Sequence, residues 1–578
     1  MNMKNRINLF RSSIALFLIS IGTVISAQVT APGGEYYIHG FYTPTIANAQ
    51  KMDLRPEPID TILPDIPVSY QMIPAKGEVA ARVDSIDPAK LSVLATQSRL
   101  YKGYVKGGFG LYTTPLGELY FNSTRSKNNA YGIHLKHFSS NGGIDDVGPS
   151  DYSFNNADAF YKHFLPKHEL IGRVIYDRRR ISYYGYDELT DSILNIQNIT
   201  QHTEDDLKQV YSDIGFAGRI RSLYSDSSKI SHDVSLETHS YKNLTGSSEF
   251  NIRIGADVGM TQASETFALG VMIDNNAYKR ELGIIIGNAQ WRQNGTLLAL
   301  TPSVTTKGDK YVVRVGAGMY LDAMGKSTFH FYPNAYAHFR LFDDILVPYI
   351  GVEGEKIRNS FRSLTRENPF LNGAPMLMNT NEKYDLYGGL RGSLSSEIGF
   401  DVRISQRRLD ALPLFINRPN GPYGDQMDVV YDMVDIFSVS GELQYKKGET
   451  WDVHARLTVS SYATEFQDNA WNLPPYEMAI GARYDIRNKL ILKGELLFLG
   501  ARPAKIEEPE LINDILVQTG RKVDLDGFLD AHLGAEYRYT KRLSVFLEMS
   551  NVSLSKYERW YRYPVQRGLV IGGFTYSF

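Results

Sequence analysis

The chain has 578 residues, no cysteine and a formal net charge of −2, which becomes about −5 once Lys4, Arg6 and Arg11 of its first segment are set aside. These values exclude a disulfide framework, a thiolate metal site, a cysteine nucleophile and a lipid-bearing cysteine, and they give no support to nucleic-acid binding. The length exceeds one soluble core, yet no composition break divides it; 49 Gly and 38 Tyr describe many strands with tight turns and aromatic ends.

Residues 1–27 read as a signal peptide: the basic start is followed by an apolar run from Ile14 to Ile25, then Ser26-Ala27 before Gln28. The run is shorter than the roughly 20 residues a membrane-spanning helix needs. Residues 28–98 form a second segment, rich in proline (Pro32, Pro44, Pro56, Pro58, Pro64, Pro67, Pro74, Pro88). Proline withdraws N–H donors from sheets and helices, so an extended periplasmic arm or partial plug is expected, with one candidate strand at Val68 to Ile73. A disordered linker is the alternative.

From residue 99 to the end, period-two alternation dominates. Phe437, Val439, Leu443 and Tyr445 oppose Ser438, Ser440, Glu442 and Gln444, and Val453, Leu457 and Val459 oppose Asp452, His454 and Arg456. Met478, Ile480, Ala482, Tyr484 and Ile486 oppose Arg483, Asp485 and Arg487. Leu529, Ala531, Leu533, Ala535, Tyr537 and Tyr539 oppose Asp530, His532, Glu536 and Arg538. Full charges on the second face of strand after strand would be costly in a packed sandwich, but they suit a hydrated barrel interior. Short turns at Phe342 to Asp344, Ser395 to Ile398, Lys446 to Glu449, Arg487 to Lys489 and Thr540 to Arg542 alternate with long links. The long ones are Asn359 to Glu382, Leu409 to Met427, Ala463 to Pro474, Ala501 to Asp524 and Ser553 to Val565. Tyr445, Tyr484, Tyr537, Tyr539 and Phe578 lie beside the short turns, where an interfacial aromatic girdle would run. A direct count gives about 23 strands; an even-numbered barrel requires one fewer, so about 22 are expected.

The chain closes on Gln566 to Phe578, with Val570, Phe574, Tyr576 and Phe578 on one face and Gly573, Thr575 and Ser577 on the other. Left as an open edge, such a strand would invite pairing with another chain; closure into a barrel removes that edge. In this ending the chain resembles bacterial outer-membrane β-barrels, in which Phe574, Tyr576 and Phe578 would be the assembly signal. Three further stretches are similar to the TonB-dependent receptor-like barrels of Bacteroidetes-type bacteria: Tyr104-Val105-Lys106-Gly107-Gly108-Phe109-Gly110, Ser360-Phe361-Arg362-Ser363-Leu364 with Glu367-Asn368-Pro369-Phe370, and Leu341-Phe342-Asp343-Asp344. The resemblance implies an all-β fold: a transmembrane antiparallel β-barrel of about 22 strands in the cell outer membrane, with a short N-terminal periplasmic arm and a part in envelope transport. About 70 residues precede the barrel, fewer than the family's full plug domain, and no TonB-contacting box stands out. Asp60-Thr61-Ile62, Asp84-Ser85-Ile86 and Asp191-Ser192-Ile193 look like the O-glycosylation signal of the same bacteria, which would place sugars on Thr61, Ser85 and Ser192.

Arg391, Arg403, Arg407, Glu442, Arg456, Arg483, Asp485, Lys493, Glu495, Glu536 and Arg538 fall on inferred inward faces. They line a polar translocation path in one reading and form cross-strand charge ladders in the other. The acidic residues between Tyr186 and Lys208 lack calcium-loop spacing and read as a solvated outer loop. Arg178-Arg179-Arg180, with Lys106, suggests either a site for lipopolysaccharide phosphates or an ordinary charged strand end. No nucleophile elbow occurs, so neither catalysis nor a cofactor is expected. The expectation is transport through a receptor-like channel or porin-like pore. The alternative is a scaffold barrel that docks a surface lipoprotein, a periplasmic partner or an envelope machine. Outer-membrane lipid and the barrel-assembly machinery would be partners in both.

Overall fold

A computed structural model of the chain describes residues 100–185, 207–281, 290–342, 345–417, 426–512 and 515–578. The signal segment, the arm and the three glycosylation triplets lie outside the described residues, as does most of the acidic stretch before Lys208.

The strands in chain order are β1 (Gly103–Gly110), β2 (Thr114–Asn122), β3 (Asn129–Ser140), β4 (Tyr152–Phe164), β5 (His168–Ser182), β6 (Lys208–Ser222), β7 (Ser231–Lys242) and β8 (Ser248–Gln262). There follow β9 (Glu265–Glu281), β10 (Gln290–Lys307), β11 (Tyr311–Met324), β12 (Thr328–Phe339), β13 (Leu346–Ile357), a short helix α1 (Phe361–Glu367), β14 (Thr380–Ser393) and β15 (Ile398–Asn417). The remainder are β16 (Met427–Lys447), β17 (Trp451–Thr464), β18 (Tyr476–Ile486), β19 (Leu490–Leu499), β20 (Arg502–Ile512), β21 (Ile515–Leu525), β22 (Phe528–Arg538), β23 (Leu543–Ser550), β24 (Glu558–Trp560), β25 (Tyr563–Pro564) and β26 (Leu569–Ser577).

Twenty-two of these strands form one closed antiparallel wall. Strand β19 pairs directly with β22, so the β20–β21 hairpin stands outside the cylinder as part of a link, and β24–β25 is a second small hairpin of the same kind. The ring closes where β1 meets β26, from Tyr104 opposite Ser577 to Gly110 opposite Ile571. The Phe578 ring lies over Gly103, where a Cβ would run into it, and the Phe578 carbonyl accepts from the Lys102 and Gly103 amides. The terminal segment is thereby locked to the first strand.

Alternation sets the two surfaces. Ile133 and Leu135, Val174 and Tyr176, Leu269, Val271 and Ile273, Val402 and Ile404, and Leu533 and Tyr537 are all exposed on the outside. An exposed apolar belt around a closed, hydrogen-bonded wall is the surface a lipid bilayer requires. Aromatic residues border it at the short-turn end, where Trp451 stacks on Tyr484 at 4.1 Å and Tyr539 and Phe578 are exposed.

The expected short turns at Ser395 to Ile398, Lys446 to Glu449, Arg487 to Lys489 and Thr540 to Arg542 lie at one rim, and the links at the other rim are longer on average; Asp343 and Asp344 of the remaining one lie outside the described residues. Two links there differ from the sequence reading. The stretch from Leu409 to Met427 is mostly strand: after a bulge at Leu409/Leu412, with Ala411 at φ 53°, Leu412 to Asn417 pair again with Met427 to Asp432. The link from Ala501 to Asp524 is the β20–β21 hairpin. At the same rim the β1–β2 connection is only three residues long, Leu111 to Thr113, with Tyr112 and Thr113 at positive φ.

Candidate functional site at the barrel mouth

The link from β13 to β14, residues 358–379, turns inward across the long-loop mouth. Its course follows from its residues. Ser360 caps α1, its side chain accepting from the Ser363 amide while Ser363 Oγ accepts from the Ser360 amide. Phe361, Leu364 and Thr365, at i, i+3 and i+4, give the helix one buried face. That face meets inward-pointing tyrosines near the ends of three wall strands. Phe361 lies 5.4 Å from the ring of Tyr241 and 5.4 Å from that of Tyr278, and 6.3 Å from that of Tyr211. The Tyr241 hydroxyl bonds Thr365 Oγ1 at 2.7 Å, and Tyr211 donates to the Pro369 carbonyl at 2.9 Å.

The far end of the strap reaches the last link of the chain. Phe370 stacks on Tyr563 at 3.7 Å, and Tyr184 packs edge-on against both. Leu371 forms a parallel bridge to Met427, and the Tyr431 hydroxyl donates to the Met376 carbonyl at 2.8 Å. Phe361, Leu364, Leu371, Tyr211, Tyr278 and Tyr563 belong to one buried cluster that draws on β6, β7, β9, β16 and the β23–β26 link. A packed core therefore occupies part of the mouth of an otherwise polar cylinder. At the start of β20, burial and Arg559 of the β23–β26 link push the Arg502 guanidinium down to about 10, and Arg502 donates to the Glu558 and Arg559 carbonyls. It stays charged at neutral pH and ties the outer hairpin to that link.

Buried charge pins the strap at three places. Arg358, 5% exposed, donates to Asp274 Oδ1 at 3.2 Å and to the Asp274 carbonyl at 2.8 Å; the same carboxylate accepts from Asn251 and Arg253. Glu249, 3% exposed, accepts from the Phe361 amide at 2.6 Å. Asp213, 1% exposed, takes Arg362 at 2.6 Å, Arg366 at 3.0 Å and His239 at 3.1 Å. Sequence reading missed Asp213, Glu249, Asp274, Arg358, Arg362 and Arg366. The usable signal was the Ser360/Ser363 cap followed by an i, i+3, i+4 apolar face inside what otherwise reads as a loop.

The eleven candidate lumen residues spread over seven neighbouring wall strands, β14 to β19 and β22, and do not converge on one point. Arg403 pairs with Asp385 at 2.6 Å and lies 3.9 Å over the Tyr387 ring; Arg407 pairs with Glu382 at 2.6 Å and Arg456 with Glu442 at 2.7 Å. Arg483 and Arg538 share Asp485, at 3.3 and 3.9 Å. Arg391 donates to the Tyr336 hydroxyl and sits over the Tyr349 ring. Register sets Lys493 opposite Arg483, Glu495 opposite His532 and Glu536 opposite Phe546. Lys106 is paired with Glu548 at 2.7 Å, and Arg179 with Asp177, both on the inward faces of their strands. Neither joins Arg178, which alternates with Asp177 and Arg179 and points outward.

No known family model matches the chain, and no curated protein does. Solved structures do match in fold. The ferripyoverdine receptor of the outer membrane of Pseudomonas aeruginosa, bound to ferripyoverdine, aligns over 83% of this chain and 72% of its own, at 11% identity and a TM-score of 0.60. The ferric-catecholate import receptor Fiu of E. coli K12 aligns over 83% and 82%, at 10% identity and 0.60. The siderophore receptor PirA of Acinetobacter baumannii aligns over 83% and 81%, at 11% identity and 0.60. The fold is that of outer-membrane receptor barrels, in line with the resemblance carried by the sequence.

Proposed function

We propose that the protein is an outer-membrane channel for polar solutes, a receptor-like transporter whose long-loop mouth is narrowed by the strap at residues 358–379. The observation that carries this reading is the strap: an inward link with its own apolar core, fixed by buried carboxylates to strands that a simple surface loop would never reach. A cylinder of 22 strands is wide enough to hold an aqueous lumen, and the strap and the arm are the parts of this chain available to restrict it. The charges of β14 to β19 and β22 line the path in this proposal, and among the described residues Arg391 and Lys493 are its cations with no carboxylate within ion-pair distance. The arm of residues 28–98 acts as a second restriction, and Thr61, Ser85 and Ser192 carry glycans. The structural neighbour named as a ferric-catecholate import receptor supports import as the direction.

Single-channel recording in planar bilayers tests the reading. Deleting residues 28–98 is expected to raise conductance above that of the full chain; equal conductance would end the arm's role. If both proteins are silent and a surface lipoprotein or envelope machine copurifies in equal amount, the chain is a scaffold.

A further inference from the structure

The outer surface of the wall carries a feature that transport does not use. Tyr176, Ile214, Phe250 and Ile273 are exposed on the outside and fix the outward parity of β5, β6, β8 and β9. The same parity places Arg178, Ser212, Ser248 and Lys279 outside. Register joins them to Lys242 and Arg292 in one cross-strand row: Arg178 faces Ser212, Ser212 faces Lys242, Lys242 faces Ser248, Ser248 faces Lys279 and Lys279 faces Arg292. The row holds four cations and no carboxylate. Neighbouring cations two strands apart are separated by roughly 10 Å.

In the lumen, arginines such as Arg403, Arg407 and Arg456 each meet a carboxylate. Among the described residues Arg178, Lys242 and Arg292 meet none within ion-pair distance, and Lys242 and Arg292 are exposed. The row lies at the long-loop ends of its strands. Tyr176, Ile214 and Phe250 are the next outward residues toward the belt on β5, β6 and β8. Cations at that boundary meet lipid headgroups, and the apolar side chains beside them meet acyl chains.

We propose that this row is a docking site for a phosphate-bearing lipid of the leaflet at the long-loop rim. Its phosphates lie against Arg178, Lys242 and Arg292, and its chains lie on Tyr176, Ile214 and Phe250. The full-length protein in detergent is titrated with bis-phosphorylated lipid A and with its dephosphorylated form, and bound lipid is read by native mass spectrometry. The combined Arg178→Gln, Lys242→Gln and Arg292→Gln variant, shown folded by heat-modifiable migration, is expected to bind the phosphorylated lipid roughly a hundredfold more weakly than wild type, since each cation near an anionic surface contributes about a factor of five. Lys242→Gln alone is expected to lose about fivefold. A control that removes three exposed cations of the short-turn rim, Lys167, Lys310 and Lys541, is expected to bind as wild type. The site is refuted if the triple variant binds as wild type, if the control loses as much as the triple variant, or if the dephosphorylated lipid binds wild type equally well.

Discussion

Charge in this molecule does two kinds of work, and burial separates them. Asp274 is 1% exposed and holds Arg358, itself 5% exposed, together with Arg253. Glu442 and Arg456 form a pair of similar length with side chains 51% and 65% exposed. Removing one partner of a buried pair leaves an uncompensated charge, whereas an exposed pair is held weakly against water and salt. Asp274→Ala is therefore expected to destabilise the barrel by about 3–5 kcal/mol, and Glu442→Ala by at most about 1, measured as urea midpoints of heat-modifiable migration. Packing gives a second prediction at this scale. The Tyr349 ring lies over Gly389, and its hydroxyl donates to Asp401 at 2.6 Å. Gly389→Ala drives a Cβ into that ring and is expected to cost about 1–3 kcal/mol by the same measurement.

Among the elements, strands were legible and the strap was not. The faces of β16, β17, β18 and β22 could be read residue by residue because a wall strand between lipid and water has a strict period of two. The bulge at Ala411 broke that period, which is why Leu412 to Asn417 read as link although their alternation resumes at once. The helix α1 is seven residues long, too short for periodicity to stand out, and its partners Tyr211, Tyr241 and Tyr278 are 83 or more positions away in sequence. Nothing local announces such contacts, although an inward tyrosine near the end of each of three nearby strands was a trace of them. The strap's hold can be tested separately from the wall. Phe361→Ala is expected to remove about 3–5 kcal/mol from strap docking, leaving the wall's heat-modifiable migration intact while residues 358–379 become open to protease. Equal protease resistance in variant and wild type would show that the aromatic cluster does not hold it.

For the whole molecule, closure is the organising fact, and it was legible from the last residues of the chain. Phe578 contributes a ring over Gly103 and a carbonyl to the first strand, so deletion of Phe578 is expected to lower the yield of folded, heat-modifiable barrel in membranes, with unfolded chain accumulating. The expected strand number, about 22, is that of the observed wall, because a closed antiparallel ring needs an even count and so removes one from the 23 counted directly, whereas the eleven charges gave a surface without a focus. Composition and alternation report which face meets water; they do not report which links fold back through it. In the proposed channel the strap is the restriction at the mouth. The most direct measurement is single-channel conductance in planar bilayers of the protein lacking residues 28–98, with residues 361–377 either intact or replaced by a short Gly/Ser linker. Conductance is expected to rise clearly when the strap is replaced; the same conductance with and without it, in two equally folded barrels, would rule the strap out as the restriction.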